Sequence, residues 1–323
     1  MAMFVFPGQG SQQPGMGSFL FDNFQSARRV YEEGSEALGL DLKKLCFTGS
    51  EADLALTANT QPALLATSTA TQTVLTQELG ITVSAGAGHS IGEYAALVAA
   101  GVLPFREAIK AVRIRGESMQ SAVPVGKGGM AAVLGLEPLQ VEELCNHVVK
   151  FSGLGPLSPA NFNSPGQIVI SGSAAALEWL KTSFKAEELW GANAPKRLKL
   201  IPLQVSAPFH CAMMAPAEAK MREVLTAIPF QNAPYPIFQN YTAAQETQGP
   251  ALRENLIKQV SAPVRWMQSM QEARRQGFTQ VIECGTGKVL QGLLKKIDPE
   301  FQVLTTNSLD ELKQIEQTFK GVS

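Results

Sequence analysis

Apolar and polar positions follow two rhythms along this chain. In the first, short apolar runs precede longer stretches of helical composition. Met3–Phe6 is apolar throughout and stops at Pro7-Gly8. Residues 22–38 and 61–79 have helical composition, and the second opens on Gln61-Pro62, with proline near a helix start. Ile81–Val83 reads as a short strand ahead of a glycine cluster. Ile91–Ala100, rich in Ala and Leu, reads as a helix ended by Gly101, and Phe105–Ser121 as another closed by Val123-Pro124. Strands alternating with helices predict an α/β fold with a mostly parallel sheet.

The rhythm changes after Gly126-Lys127-Gly128-Gly129, an expected hinge. Met130–Leu136 reads as a strand, 138–149 as a helix, and Ser158–Asn163 and Gln167–Ser171 as strands around the turn Ser164-Pro165-Gly166. Ala174–Phe184 reads as a helix and Arg197–Leu203 as a strand. That order is βαββαβ, the ferredoxin-like unit. The expectation is a large α/β-hydrolase-like domain, residues 1–127 and 198–323, interrupted by a small ferredoxin-like domain, 128–197. Beyond it come a loop and helix (208–227), a β-type stretch (Tyr235–Gln239), helices at 250–260 and 264–276, a strand at Gln280–Cys284 and a helix after Gly287.

Composition narrows the function classes. The formal net charge of −1 gives no global field to recruit nucleic acid or an anionic membrane. The longest uncharged apolar run lies in 94–105 and is broken by Gly101 and Pro104, well short of the ~20 residues a bilayer needs. The start MAMFVFPGQG has no basic region and reaches Pro7 too early for a signal peptide. Cys46, Cys145, Cys211 and Cys284 lack the spacing of a zinc or redox motif, so reduced thiols in the cytoplasm are expected. With only His89, His147 and His210 in the chain, a histidine-rich metal site is not expected.

The glycine clusters admit two chemistries. A dinucleotide fingerprint needs G-x-G-x-x-G after a strand, and Gly86-x-Gly88-x-x-x-Gly92 has one residue too many. Gly285-Thr286-Gly287-Lys288 imitates the end of a P-loop, but Ile282 stands where the first glycine belongs and Val289 where Ser or Thr would hold magnesium. Gly88-His89-Ser90-Ile91-Gly92 fits G-x-S-x-G, the nucleophile elbow, in its strand-turn-helix context. An ordinary glycine-rich turn is the plainer alternative. A serine nucleophile needs a base. His89 adjoins it and reads as a structural hydrogen-bonder near the site. His147 lies in a charged helical stretch and reads as a solvated surface residue. His210, in a loop with Pro208, is left as the base, although a satisfied core histidine is the alternative. No acid between 91 and 209 stands at an obvious strand end to complete a hydrolase triad.

Seven blocks in order then carry a resemblance: Phe6-Pro-Gly-Gln-Gly-Ser-Gln12, Gly88-His-Ser-Ile-Gly-Glu93, Arg115-Gly116, Asn161-Phe-Asn-Ser-Pro-Gly-Gln167, Pro208-Phe-His-Cys211, Gln259-x-x-x-Pro-Val-Arg-Trp266 and Glu283-Cys-Gly-Thr-Gly-Lys-Val-Leu290. Together they resemble the malonyl-CoA:acyl carrier protein transacylases, the acyltransferase family of fatty-acid and polyketide synthesis. Cys284 and Thr286 are mild variants.

The resemblance implies that Ser90 is the acylated nucleophile and His210 its base. It implies that the backbone N–H groups of Gln9 and Ile91 form an oxyanion hole. Arg115 would bind the free carboxylate of the malonyl group, and the segment at Gln259 would orient His210 in place of a missing acid. Arg113 and Arg106 are the controls, since an arginine on a helix is usually just solvated. Phe209, beside His210, would narrow the acyl pocket toward malonyl. The implied partners are malonyl-CoA and acyl carrier protein, with no bound cofactor, no metal, no nucleic acid and no membrane; the coenzyme A thioester is substrate. Arg274, Arg275, Lys288, Lys295 and Lys296 are candidates for a basic surface facing an acidic carrier, or plain solvated helix faces. A serine hydrolase, a non-catalytic binding module and a polyketide-pathway acyltransferase remain open.

Overall fold

The computed structural model describes residues 2–195, 197–205 and 207–320. Its strands, in chain order, are β1 (Ala2–Phe6), β2 (Val83–Gly88), β3 (Gly128–Leu134), β4 (Leu157–Ser164), β5 (Gln167–Ser173), β6 (Lys199–Pro202), β7 (Ile237–Phe238), β8 (Gln245–Glu246), β9 (Gln280–Glu283) and β10 (Gln302–Thr305). They form two sheets. The larger has the order β10-β9-β1-β2-β7-β8, parallel except for the β7/β8 edge pair. Every residue of β1 is fully buried, as expected of an unbroken apolar run at the centre of a parallel sheet covered on both faces. The smaller sheet has the order β4-β5-β3-β6, antiparallel throughout. Helices Pro138–Ser152 and Ala174–Thr182 pack Val141, Leu144 and Leu180 onto its Val133, Ile168 and Ile170. That is the expected βαββαβ order, with one extra short helix, Ala186–Trp190, before β6, but β6 pairs with β3, so the small sheet runs past the expected boundary at residue 197.

Two local expectations are corrected. The strand read at Ile81–Val83 lies further on, as β2, with the sequence VSAGAG. Its residues have weak strand propensity, but β1 and β7 flank it and supply ladder hydrogen bonds on both sides. Space there is short: a Cβ on Gly86 would sit 3.0 Å from Ile237 Cδ1. The helix read from Gln61 begins at Thr57, so Pro62 is inside it. Proline has no N–H to offer the carbonyl four residues back. That carbonyl, of Ala58, accepts instead from Arg113 Nη1 at 3.0 Å.

The two sheets are stitched together beside the site. Val264 pairs with Asn161 in an isolated parallel bridge. Phe162 N donates to Val264 O at 2.9 Å, and Val264 N to Ala160 O at 2.8 Å. β8, β10 and the helix Leu309–Lys320 had no clear sequence signal. Among the described residues no helix is long and apolar enough to cross a membrane.

Candidate active site

β2 ends at Gly88 and the helix Gly92–Ala99 starts four residues later, so the chain must reverse within His89–Ile91. It does so by placing Ser90 at φ 54°, the left-handed region that costs a non-glycine residue roughly 1–3 kcal/mol. The flanking glycines make room for this. A Cβ on Gly88 would lie 1.9 Å from Gly92 C, and one on Gly92 would lie 2.1 Å from Phe6 O. A Cβ on Gly8 would lie 2.6 Å from His89 O, so the loop after β1 is pressed against the elbow. The glycines thus serve backbone approach. The P-loop imitation at 285–288 is likewise filled from within: Glu283 caps the next helix, accepting from Leu290 N at 2.9 Å and Gln291 N at 2.8 Å. A carboxylate already stands where a phosphate would bind.

Ser90 Oγ lies 2.7 Å from His210 Nε2. His210 is also in the left-handed region, at φ 57°. Its Nδ1 lies 2.9 Å from the backbone carbonyl of Gln259. A carbonyl only accepts, so Nδ1 carries the hydrogen and Nε2 presents its lone pair to the serine hydroxyl. Burial, with the Arg115 charge second, pushes the His210 pKa down to about 3. The imidazole is therefore neutral at pH 7 and available as a base. The Gln259 carbonyl stands where the acid of a triad would meet Nδ1.

His89 does not compete for this role: its Nε2 is 2.8 Å from Asn163 Oδ1. His147 is a correction. It is buried rather than solvated, stacked on Phe151 with ring centroids 4.2 Å apart and edge-on to Phe184 at 5.6 Å. The two phenyl rings flank the imidazole and take it out of water.

Arg115 is 1% exposed, on the helix Phe105–Ser121. Its Nη1 donates to Gln61 Oε1 at 2.9 Å, and its Nη2 to Gln259 Oε1 at 3.0 Å and to Ser90 Oγ at 3.1 Å. All three acceptors are neutral. Its helix neighbours behave differently: Arg113 pairs with Glu117 at 2.6 Å and Arg106 with Glu36 at 2.9 Å. A buried guanidinium held by amides and a hydroxyl is a site for a small anion, because burying a charge is costly until it is paired.

The backbone N–H groups of Gln9 and Ile91 have no acceptor among the described residues. Both residues line a cavity of about 120 Å³, together with Ser90, Arg115, Phe209 and His210. All the sequence-predicted site residues thus meet in one place, Gln259 through its contacts to Arg115 and His210.

Two residues were missed. Glu93 is fully buried, and burial pushes its carboxyl up to about 7. It accepts from Gln239 Nε2 at 3.1 Å, Asn240 N at 2.8 Å and Gln259 Nε2 at 3.0 Å. Asn240 is fully buried as well and bonds to the elbow backbone. Glu93 closed the Gly88–Glu93 block but drew no role there, and Asn240 signalled only as a polar residue at the end of an apolar stretch.

The surface cations mostly have partners. Arg274 pairs with Asp298 at 3.0 Å and with Glu300, Arg275 with Glu272, and Lys288 with Glu311 at 3.2 Å. Lys296 donates to Gln167 at 3.1 Å.

Comparison with known proteins places this geometry. The acyl transferase domain family matches residues 3–298. A malonyl CoA-acyl carrier protein transacylase of Bacillus subtilis is 43% identical over 317 residues, covering 98% of this chain and 96% of the relative. The crystal structure of an acyl carrier protein S-malonyltransferase from Vibrio cholerae superposes with a TM-score of 0.89 at 40% identity, over 97% of this chain and 99% of that one. A malonyl-transacylase in complex with a type II polyketide acyl-carrier protein superposes with a TM-score of 0.89 at 39% identity, over 99% of each chain.

Proposed function

From the premise that this chain belongs to the acyl transferase family, we propose that it transfers the malonyl group of malonyl-CoA to the phosphopantetheine thiol of acyl carrier protein, through a malonyl ester of Ser90. The observation that carries this reading is the Arg115 guanidinium, buried, bonded to the neutral acceptors Gln61, Gln259 and Ser90, and 3.1 Å from Ser90 Oγ. A malonyl group carries an anion one methylene from its thioester carbonyl, so its carboxylate can meet Arg115 while its carbonyl faces Ser90. An acetyl group leaves the guanidinium as it was.

His210 Nε2 takes the Ser90 proton as Oγ attacks the thioester carbonyl. The Gln9 and Ile91 N–H groups receive the oxyanion, and losing one such donor typically costs about 3–4 kcal/mol. Collapse of the tetrahedral adduct breaks the C–S bond, and the imidazolium protonates the departing coenzyme A thiolate. The carrier thiol then attacks the ester by the reverse steps and restores the serine. Each proton and each developing charge has a protein group assigned to it, so the cycle as written draws on no cofactor. Four free, buried thiols fit a reducing cytoplasm.

The test is intact-mass measurement after mixing with malonyl-CoA. A single malonyl adduct is expected on the wild type and none on Ser90→Ala. Chasing the adduct with holo-acyl carrier protein should empty it much faster than buffer does; equal emptying would mean a hydrolase. The likeness to a malonyl-transacylase of a type II polyketide system keeps a second reading, in which the carrier belongs to polyketide synthesis. Kinetics with both carrier types separate them.

A further inference from the structure

Ser90 keeps a conformation that serine does not choose, so some interaction must impose it. The glycines permit the turn without enforcing it. The structure assigns the enforcement to Asn240: we infer that its carboxamide clamps the elbow and acts as a positioning residue for the Ser90 hydroxyl and the Ile91 N–H.

One carboxamide spans the strained residue. Asn240 Nδ2 donates to Gly88 O at 2.7 Å, and Asn240 Oδ1 accepts from Ser90 N at 2.7 Å. This is the donor-and-acceptor pair that a neighbouring strand would present. β2 pairs with β7 up to Ala87 and Phe238. Two residues further on, the Asn240 side chain takes over where the main-chain ladder has stopped.

Asn240 is itself immobilised. It is fully buried, its N–H donates to Glu93 Oε2 at 2.8 Å, and its carbonyl accepts from Arg265 N at 3.0 Å. Ser90 O, on the other side of the residue, accepts from Gln259 Nε2 at 3.1 Å. Both peptide planes around Ser90 are therefore fixed by side chains. The Asn240 bond also withdraws the Ser90 N–H from the cavity, which leaves the next amide, of Ile91, to serve the oxyanion.

The inference rests on the reading that Ser90 is acylated, and the experiment separates the two. Rapid-quench acylation by malonyl-CoA is followed in the wild type, Ser90→Ala, Asn240→Asp and Asn240→Ala. Aspartate keeps the volume and the acceptor for Ser90 N but sets a second acceptor against Gly88 O. The acylation rate constant should fall about 100-fold in both Asn240 variants, the scale of a small misplacement of reacting groups. The KM for malonyl-CoA should stay within about threefold, because Arg115 keeps its bonds to Gln61 and Gln259 Oε1, and Gln259 Nε2, which donates to Asn240 Oδ1 at 3.2 Å, still has Glu93 as an acceptor at 3.0 Å. The rate constant is read per active enzyme, so a partly unfolded preparation loses burst amplitude and not rate. If Asn240→Ala does not fold, Asn240→Asp carries the test. Wild-type rate constants with reduced amplitude would make Asn240 a fold residue only and overturn the inference. An adduct persisting in Ser90→Ala would overturn the acylation reading itself.

Discussion

Ser90 and His210 stand 120 positions apart in the chain and 2.7 Å apart in space. The imidazole is held neutral by burial and by Arg115, with its pKa near 3 instead of the ordinary ~6.5. In the pH profile of kcat/KM for malonyl-CoA, the acid limb is expected well below pH 6. A limb near 6.5 would mean the site is wetter than its geometry. Stability follows the same group. The folded pKa is depressed, so the unfolded chain binds a proton that the folded chain refuses. Wild type should keep this contribution above about pH 6.5 and lose it progressively toward pH 3. His210→Asn should lack that pH-dependent part in thermal melts.

Arg115 sets the second expectation. Replacing it by Ala should cost malonyl acylation about 2–5 kcal/mol, the scale for removing one member of a buried, hydrogen-bonded charge pair. Acetyl-CoA should suffer far less, since it never engages the guanidinium. Lysine is expected to rescue poorly, because it replaces a planar fork with a point charge. The check is kcat/KM for the two thioesters in each variant.

Two glycines test the steric account of the elbow. Gly88→Ala places a methyl 1.9 Å from backbone carbon, so the variant should fail to accumulate folded or lose more than about 4 kcal/mol. Gly292 lies exposed in the helix Val289–Ile297 with open space at its Cβ position. Gly292→Ala should gain about 0.5–1 kcal/mol in denaturant titration.

Acyl choice gives a fourth. Phe209 lines the cavity with Ile91, Met119 and Met130. Phe209→Ser should raise methylmalonyl relative to malonyl transfer by removing a ring beside the acyl α-carbon. An unchanged ratio in competition assays would place the size filter on the other three.

The elbow was legible in the sequence because its physics is local: two glycines around a serine, between a strand and a helix, leave few conformations. His210 was legible because the chain has only three histidines. Arg115 was not separable from Arg113 by composition, since both lie on one helix and only folding shows that one meets Glu117 and the other meets amides. Glu93 and Asn240 stayed hidden for the same reason. Buried polar residues declare themselves through partners, and Glu93 bonds to Asn240 from 147 positions away. β2 was placed too early because alanine and glycine carry no strand signal, and Pro62 misled because the compensating arginine lies more than a turn of chain away in another helix.

The bridge at Val264 has a mechanical meaning. Val264 holds β4 of the small sheet by two main-chain hydrogen bonds, five positions after the Gln259 carbonyl that anchors the imidazole. Any displacement of the small sheet relative to the large one would load that short tether. The ring beside Ser90 and the small sheet thus share one strut.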